Sequence, residues 1–303
     1  MAPVVTQIVD PVTIGEGPHW DSEDNALYFV SINDHTIHKY KPDTGKHFKA
    51  KLDDGAHFIL PVEGKKNHFL ITQGRKVVEI KWSGDEKSPK ILRTITEVEH
   101  EHPTNSLNDG KADPLGRLFT GSLTGNFDPN SAKTAALYRI DPDGTTTKLA
   151  SDVQCSNGLC WDLKEKAFYY IDSITRVIQR YDYDAATGHI SNPRSAFSLI
   201  EHGLKGSPDG MTIDTDGNLW VAVFGGSNVL KIDPRKNTLL ETLPIPVPQV
   251  TSVTFGGPNL DILYVTTACI DFGGKPDPPS GATYAVTGLS VKGHPNLRVK
   301  MHR

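Results

Sequence analysis

The 303-residue chain is 37% hydrophobic and 22% charged, with a formal net charge of -4. That length suits one large domain or two ordinary ones, and the composition excludes a disordered chain. The mildly acidic balance argues against nucleic acid as a partner, and no apolar run approaches the roughly 20 residues needed to cross a bilayer.

The opening "MAPVVTQIVDPVTIGEG" has neither a basic start nor a long apolar core, so it reads as mature protein without a signal peptide. Three cysteines, Cys155, Cys160 and Cys269, are an odd number without C-x-x-C spacing. They predict reduced thiols and a cytoplasmic location, with a Cys155–Cys160 bridge as the alternative.

In chain order, "PVVTQIV" predicts an edge strand that closes a ring by pairing near "LRVKM". Residues 17–45 then set a pattern: a Gly, a short apolar segment ending in Asp, a polar turn, the alternating strand "ALYFV", and a further strand "TIHKY". A weaker copy follows in "VEGKKNHFLIT" and "KVVEIKW", and another in "DGKADPLGRLFTGS" and "ALYRIDPDG". Residues 158–188 repeat the plan with "AFYYI" and "VIQRYDYD", and residues 210–237 repeat it with "NLWVA" and "VLKIDP". The last copy is "TFGGPNLDILYVTTA" with "GATYAV". Period-2 runs bounded by Gly, Asp and Asn turns are strand signals, and a spacing of roughly 40–50 residues is that of propeller blades. The expected fold is an all-β, six-bladed β-propeller forming a single domain over residues 1–303. A β-sandwich or two stacked β domains is the less expected alternative.

Four repeats carry an oxygen-bearing side chain five residues ahead of an Asp: Glu16 before Asp21, Asn108 before Asp113, Asn157 before Asp162, and Asp209 before Asp214. The other two repeats have Phe58 to Leu60 and Thr251 there. Taken singly, each is an ordinary turn signal. Taken in register, they start the innermost strands and converge at one mouth of the central channel. Two carboxylates meeting there would repel unless a cation lay between them. Oxygen donors without Cys suit Ca²⁺, Mg²⁺ or Mn²⁺, with Zn²⁺ a further candidate, as one chemically open divalent ion.

"GEGPHWD", "LNDGKADPLGRLFTGS", "SNGLCWD", "PDGMTIDTDGNLWVA", "SVTFGGPNLDILYVT" and "VTGLSVKG" resemble the SMP-30/gluconolactonase/regucalcin family nearly end to end, most closely its insect branch that includes luciferin-regenerating enzyme. The resemblance implies a six-bladed propeller with one divalent ion held by Glu16, Asn108, Asn157 and Asp209. It also implies hydrolysis of small lactones, with calcium binding in regucalcin-like members. In the luciferin-regenerating branch it implies turnover of oxyluciferin to a benzothiazole nitrile. Two positions depart from the family. Ser106 stands where an Arg is usual, and Asn126 stands where vertebrate members carry an acidic residue that helps bind sugar hydroxyls. Losing that Arg removes a planar fork suited to carboxylate or polyol oxygens. The expected substrate contacts are therefore Ser106, Asn108 and Asn126, with Asp209 or Glu16 as the base, Asp209 favoured by the family match.

Three functions remain open on the sequence: a metal-dependent lactonase, a luciferin-regenerating type of enzyme, and a non-catalytic calcium-binding propeller. The expected partner is a small molecule acting on a monomer. Residues 269–281, rich in Pro and Gly, read as a lid or a surface connection. Residues 97–106, with His100 and His102, read as a solvated acidic loop, with a second metal as the alternative. The Asp-Gly turns at 141–144 and 214–217 lack the closing Glu of a calcium loop. His19, His38, Trp20, Trp161 and Trp220 read as packing residues.

Overall fold

Alternating aromatic and β-branched residues form the strands of a computed structural model that describes residues 2–125, 130, 132–272, 274 and 276–302. β1 (Val4–Val9) comes first. The first blade is β2 (Gly15–Asp21), β3 (Ala26–Ser31), β4 (Thr36–Lys41) and β5 (Lys46–Lys51). The second is β6 (Ile59–Pro61), β7 (His68–Gln73), β8 (Lys76–Lys81) and β9 (Lys90–Glu97). The third is β10 (Ser106–Ala112), β11 (Leu118–Leu123), β12 (Ala135–Ile140) and β13 (Thr146–Val153). The fourth is β14 (Ser156–Asp162), β15 (Ala167–Asp172), β16 (Val177–Asp184) and β17 (His189–Ser198). The fifth is β18 (Ser207–Ile213), β19 (Leu219–Phe224), β20 (Asn228–Asp233) and β21 (Thr238–Pro244). β22 (Val250–Gly256), β23 (Ile262–Thr267) and β24 (Thr283–Thr287) complete the set. They form six antiparallel four-stranded sheets, the sixth ordered β22-β23-β24-β1. The chain is an all-β, six-bladed β-propeller.

Blade-on-blade packing explains why strands such as "AFYYID" in β15 are buried along their whole length. Each sheet is covered on both faces, so the usual half-polar alternation is lost in the middle strands. The apolar clusters follow the ring. Trp82 and Ile59 join blades one and two, Leu107 and Leu60 join two and three, and Phe119 and Phe168 join three and four. Met211 and Tyr169 join four and five, Trp220 and Phe255 join five and six, and Trp20 stacks on Tyr264 at 5.5 Å to close six onto one.

The edge-strand reading of the N-terminus is right in kind but wrong in partner. β1 pairs antiparallel with β24, Val4 opposite Thr287, and not with residues 297–301. Those residues have only the single parallel bridge Val62–Val299 beneath blade two. Residues 292–302 instead run across one end of the ring. Thr215 N donates to Lys292 O, Gly293 N to Leu260 O, Val299 N to Pro61 O and Lys300 N to Gly116 O. Arg298 Nη2 reaches Asp21 at 2.7 Å. One segment thereby touches blades one, two, three, five and six.

The recurring Asp, five residues after each candidate ligand, closes the turn between the first two strands of its blade. Asp113 Oδ1 accepts from Leu115 N and Arg117 N, both at 2.9 Å. Asp162 Oδ1 accepts from Lys164 N and Glu165 N at 3.0 Å, and Asp214 Oδ1 accepts from Asn218 N at 2.8 Å. Asp113 also ties blade three to blade four through Tyr183 Oη at 2.8 Å. The repeat's second acid is a turn anchor, and its first is free for other work. The three cysteines are free thiols, and burial pushes Cys160 up to about 12.

Candidate functional site

Glu16 and Asn157 are the second residues of β2 and β14, and Asn108 and Asp209 are the third residues of β10 and β18. Each of the four strands slips register at that point: between Glu16 and His19, Leu107 and Gly110, Ser156 and Leu159, and Pro208 and Met211. A bulge inserts unpaired backbone and re-aims side chains, and here it recurs where an oxygen-bearing side chain leaves the ladder.

The glycine after the ligand has a steric cause in three blades, Gly17 meeting His57 O at 2.8 Å if given a Cβ. A Cβ on Gly158 would lie 2.7 Å from Asp209 O and 2.8 Å from Met211 N, both backbone atoms of the next inner strand. A Cβ on Gly210 would lie 1.9 Å from Ser252 Oγ. Bare backbone lets neighbouring inner strands approach. Gly158→Ala is therefore expected to lower stability by about 1–3 kcal/mol, as overpacking does, with Asp209 displaced. Denaturant melts should show the loss, and an unchanged midpoint would remove the close-approach argument.

The two amides are in direct contact. Asn108 Nδ2 donates to Asn157 Oδ1 at 3.1 Å and to Ser156 O at 2.7 Å. Asn157 Nδ2 donates to Ser173 Oγ at 2.8 Å, and Ser173 Oγ donates to Pro208 O at 2.7 Å. This relay runs from blade three through blade four to the residue before Asp209. His57, in the connection from β5 to β6, donates from Nδ1 to Asn108 Oδ1 at 2.7 Å. Burial holds its pKa below the ordinary value.

The carboxylates sense one another. Burial, then the charge of Asp109, pushes Glu16 up to about 8, against the pull of the Gly17 N–H and Lys111. Asp209 is raised well above its ordinary value by burial, then by Glu16 and Asp109. Asp109 is raised by burial and held back by Lys111. Asp209 Oδ1 and Asp109 Oδ2 are buried without a hydrogen-bond partner. Fully ionised, the three acids beside the single Lys111 ammonium leave an uncompensated charge of two.

Sequence reasoning found Glu16, Asn108, Asn157 and Asp209 but missed His57, Asp109 and Lys111. Asp109 and Lys111 sit in the same "NDGK" string as Asn108, so their nearness was available. His57 comes from a loop with no repeat signature. Ser106 is the first residue of β10 and half-buried. Asn126 lies outside the described residues.

Residues 268–282 connect β23 to β24 at the same end of the blades as the four candidate ligands, because Thr267 pairs with Val250 at the start of the inner strand. Phe272 there is exposed and meets Phe224 edge-on at 5.7 Å. Among the described residues, no three or more His, Cys, Asp or Glu side chains are grouped to hold a metal, at His100 and His102 or elsewhere. The candidate centre mixes carboxylates with amides. No helix among the described residues is long and apolar enough to cross a membrane.

Residues 14–269 match the family described as SMP-30/Gluconolactonase/LRE-like region. A regucalcin from Danio rerio is 35% identical over 287 residues, covering 93% of each chain. The solved structure of a luciferin-regenerating enzyme aligns with a TM-score of 0.95 at 43% identity, covering 99% of this chain and 100% of that one. A calcium-binding protein, regucalcin, from Agrobacterium tumefaciens aligns with a TM-score of 0.83 at 23% identity over 96% and 95% of the two chains. At that identity the likeness is one of fold.

Proposed function

The chain belongs to the SMP-30/gluconolactonase/LRE-like family, and from that premise we propose that it is a divalent-metal-dependent hydrolase of small cyclic esters. Glu16, Asn108, Asn157 and Asp209 would hold one cation, Ca²⁺, Mg²⁺, Mn²⁺ or Zn²⁺. The observation that carries this reading is the crowding of three buried acids, Glu16, Asp109 and Asp209, beside the single Lys111 ammonium, together with the unpartnered Oδ1 of Asp209. Burying acids without counter-charge is costly, and a divalent ion among oxygen donors removes that cost.

When bound, the cation would supply Lewis-acid polarisation of the ester carbonyl. The chain's own groups do the rest. Asp209 takes the proton of the attacking water, as a carboxylate whose Oδ1 is buried without a hydrogen-bond partner. Glu16, with Oε2 already accepting from Gly17 N at 3.0 Å, is the more anchored acid. His57 fixes the Asn108 amide through its oxygen. Ser106 and Asn126 contribute the substrate contacts, acting on a monomer with no nucleic-acid or membrane partner.

The second reading is turnover of a luciferin-type heterocycle. It is favoured by the likeness to the luciferin-regenerating enzyme and by an uncharged Ser106 where an Arg would grip a polyol. A lactone panel assayed with and without chelator decides. Ester turnover that disappears with chelator and returns with added cation is expected. Metal binding with no ester turned over would overturn the hydrolase reading and leave the second.

A further inference from the structure

A cavity of about 630 Å³ opens at the other end of the inner strands from Glu16, Asn108, Asn157 and Asp209. It is bordered by His19, Lys111, Cys160, Trp161 and Thr212, all from the later halves of β2, β10, β14 and β18, and by 294–297 of the C-terminal segment. Its size is within the range of small-molecule sites, about 300–1,000 Å³.

The lining is unfinished chemically. His19 is 4% exposed, and its Nε2 has no hydrogen-bond partner among the described residues. Trp161 Nε1 is buried and equally without one. Lys111 Nζ donates to Met211 O and can form two more bonds. Buried polar atoms are nearly always paired, so two orphans among the residues that border one cavity, His19 from blade one and Trp161 from blade four, point to a ligand. Leu159, Ile213, Pro295 and Leu297 supply apolar surface between the polar lining groups.

Charge selects the ligand's polar end. Lys111, Lys164 and Arg235 border the cavity against Asp162 and Asp216, and Arg235 is already paired with Asp233 at 2.7 Å. Asp162 is already occupied by two turn amides, and Asp216 is exposed at the rim. Two of the lining groups, Trp161 Nε1 and Lys111 Nζ, can only donate, and they call for acceptor oxygens. We propose that this cavity is a second binding site, at the opposite end of the inner strands from the four candidate ligands and sharing Lys111 with their surroundings, for an apolar monocarboxylate whose carboxylate enters first toward Lys111 and Trp161.

The test is calorimetric titration of the intact protein with octanoate and with its neutral amide, octanamide. Octanoate should bind at one site, and octanamide about tenfold more weakly, a difference of about 1.4 kcal/mol. Thr212→Trp, which fills the cavity, and Leu297→Asp, which places a negative charge at an exposed rim position, should each weaken octanoate about tenfold or more, with thermal melts confirming the fold. Asp209→Asn should leave octanoate affinity unchanged, separating this site from the catalytic reading. No binding at millimolar octanoate, equal affinity for the amide, or octanoate affinity unchanged in folded Leu297→Asp would overturn the proposal.

Discussion

Replacing Asp209 with Asn is expected to reduce turnover by about 10²–10⁴-fold, the range a positioned general base contributes, while making the cation-free protein more stable. The two effects have one cause. Asp209 is buried, its Oδ1 has no partner, and Glu16 and Asp109 stand close enough to raise its pKa well above the ordinary value. Such a group destabilises the fold whenever it is forced to ionise, and an isosteric amide removes that penalty along with the base. Opposed changes in stability and activity mark a residue kept for chemistry. Asp209→Ala should also abolish turnover, but leaves a void, so its melting temperature is the less informative. Measuring kcat and cation affinity of the Asn variant separates the roles. Near-normal kcat would remove Asp209 as the base, and lost kcat with retained cation affinity would isolate the proton-transfer step.

A divalent cation should raise the melting temperature strongly at pH 8 and little at pH 5. Glu16 is pushed from an ordinary 4.5 to about 8 by burial and then by Asp109, and Asp209 moves in the same direction. Between those values the folded chain keeps protons that the unfolded chain has released. Stability of the cation-free protein therefore falls as pH rises through that window. A cation binds the ionised acids in place of their protons, so its affinity climbs over the same range. At a hundredfold excess over Kd the gain is about 2.7 kcal/mol, or about 5 °C for a chain of this size. Thermal melts in chelator and in added Ca²⁺, Mg²⁺, Mn²⁺ or Zn²⁺ across that pH range check it. A gain that does not change with pH would mean the acids are not where the cation binds.

What could be read from the residues was whatever the repeat imposes. Glu16, Asn108, Asn157 and Asp209 stand at one offset before an Asp, because six similar blades present the same strand position to one axis. The Asp that marks the offset fastens a turn, as Asp113 shows. His57 was invisible because a single connecting loop delivers it. The nearness of Lys111 and Asp109 to Asn108 was legible in "NDGK", but their inward turn was not, because a bulge decides which of these side chains turn inward. Trp161 and His19 look like packing residues in an alternating pattern, which cannot distinguish a neighbour's apolar face from the open axis. Trp20 and Trp220 are buried as read, each 1% exposed; Trp161 also packs as read, against Phe119 and Phe168, and His19 is buried, while both border a cavity as well. The mistaken partner of β1 has a similar origin. "LRVKM" has a strand's composition, but the place beside β24 is already taken by β1, and the segment makes only isolated bonds beneath the ring.

The pairing of Val4 with Thr287 also fixes an order of events during synthesis. Val4 is made about 280 residues before its partner, and at about 5–20 residues per second the wait is tens of seconds. Throughout that interval the nascent chain carries an unsatisfied ladder at its leading end, the kind of exposed edge to which other chains can anneal.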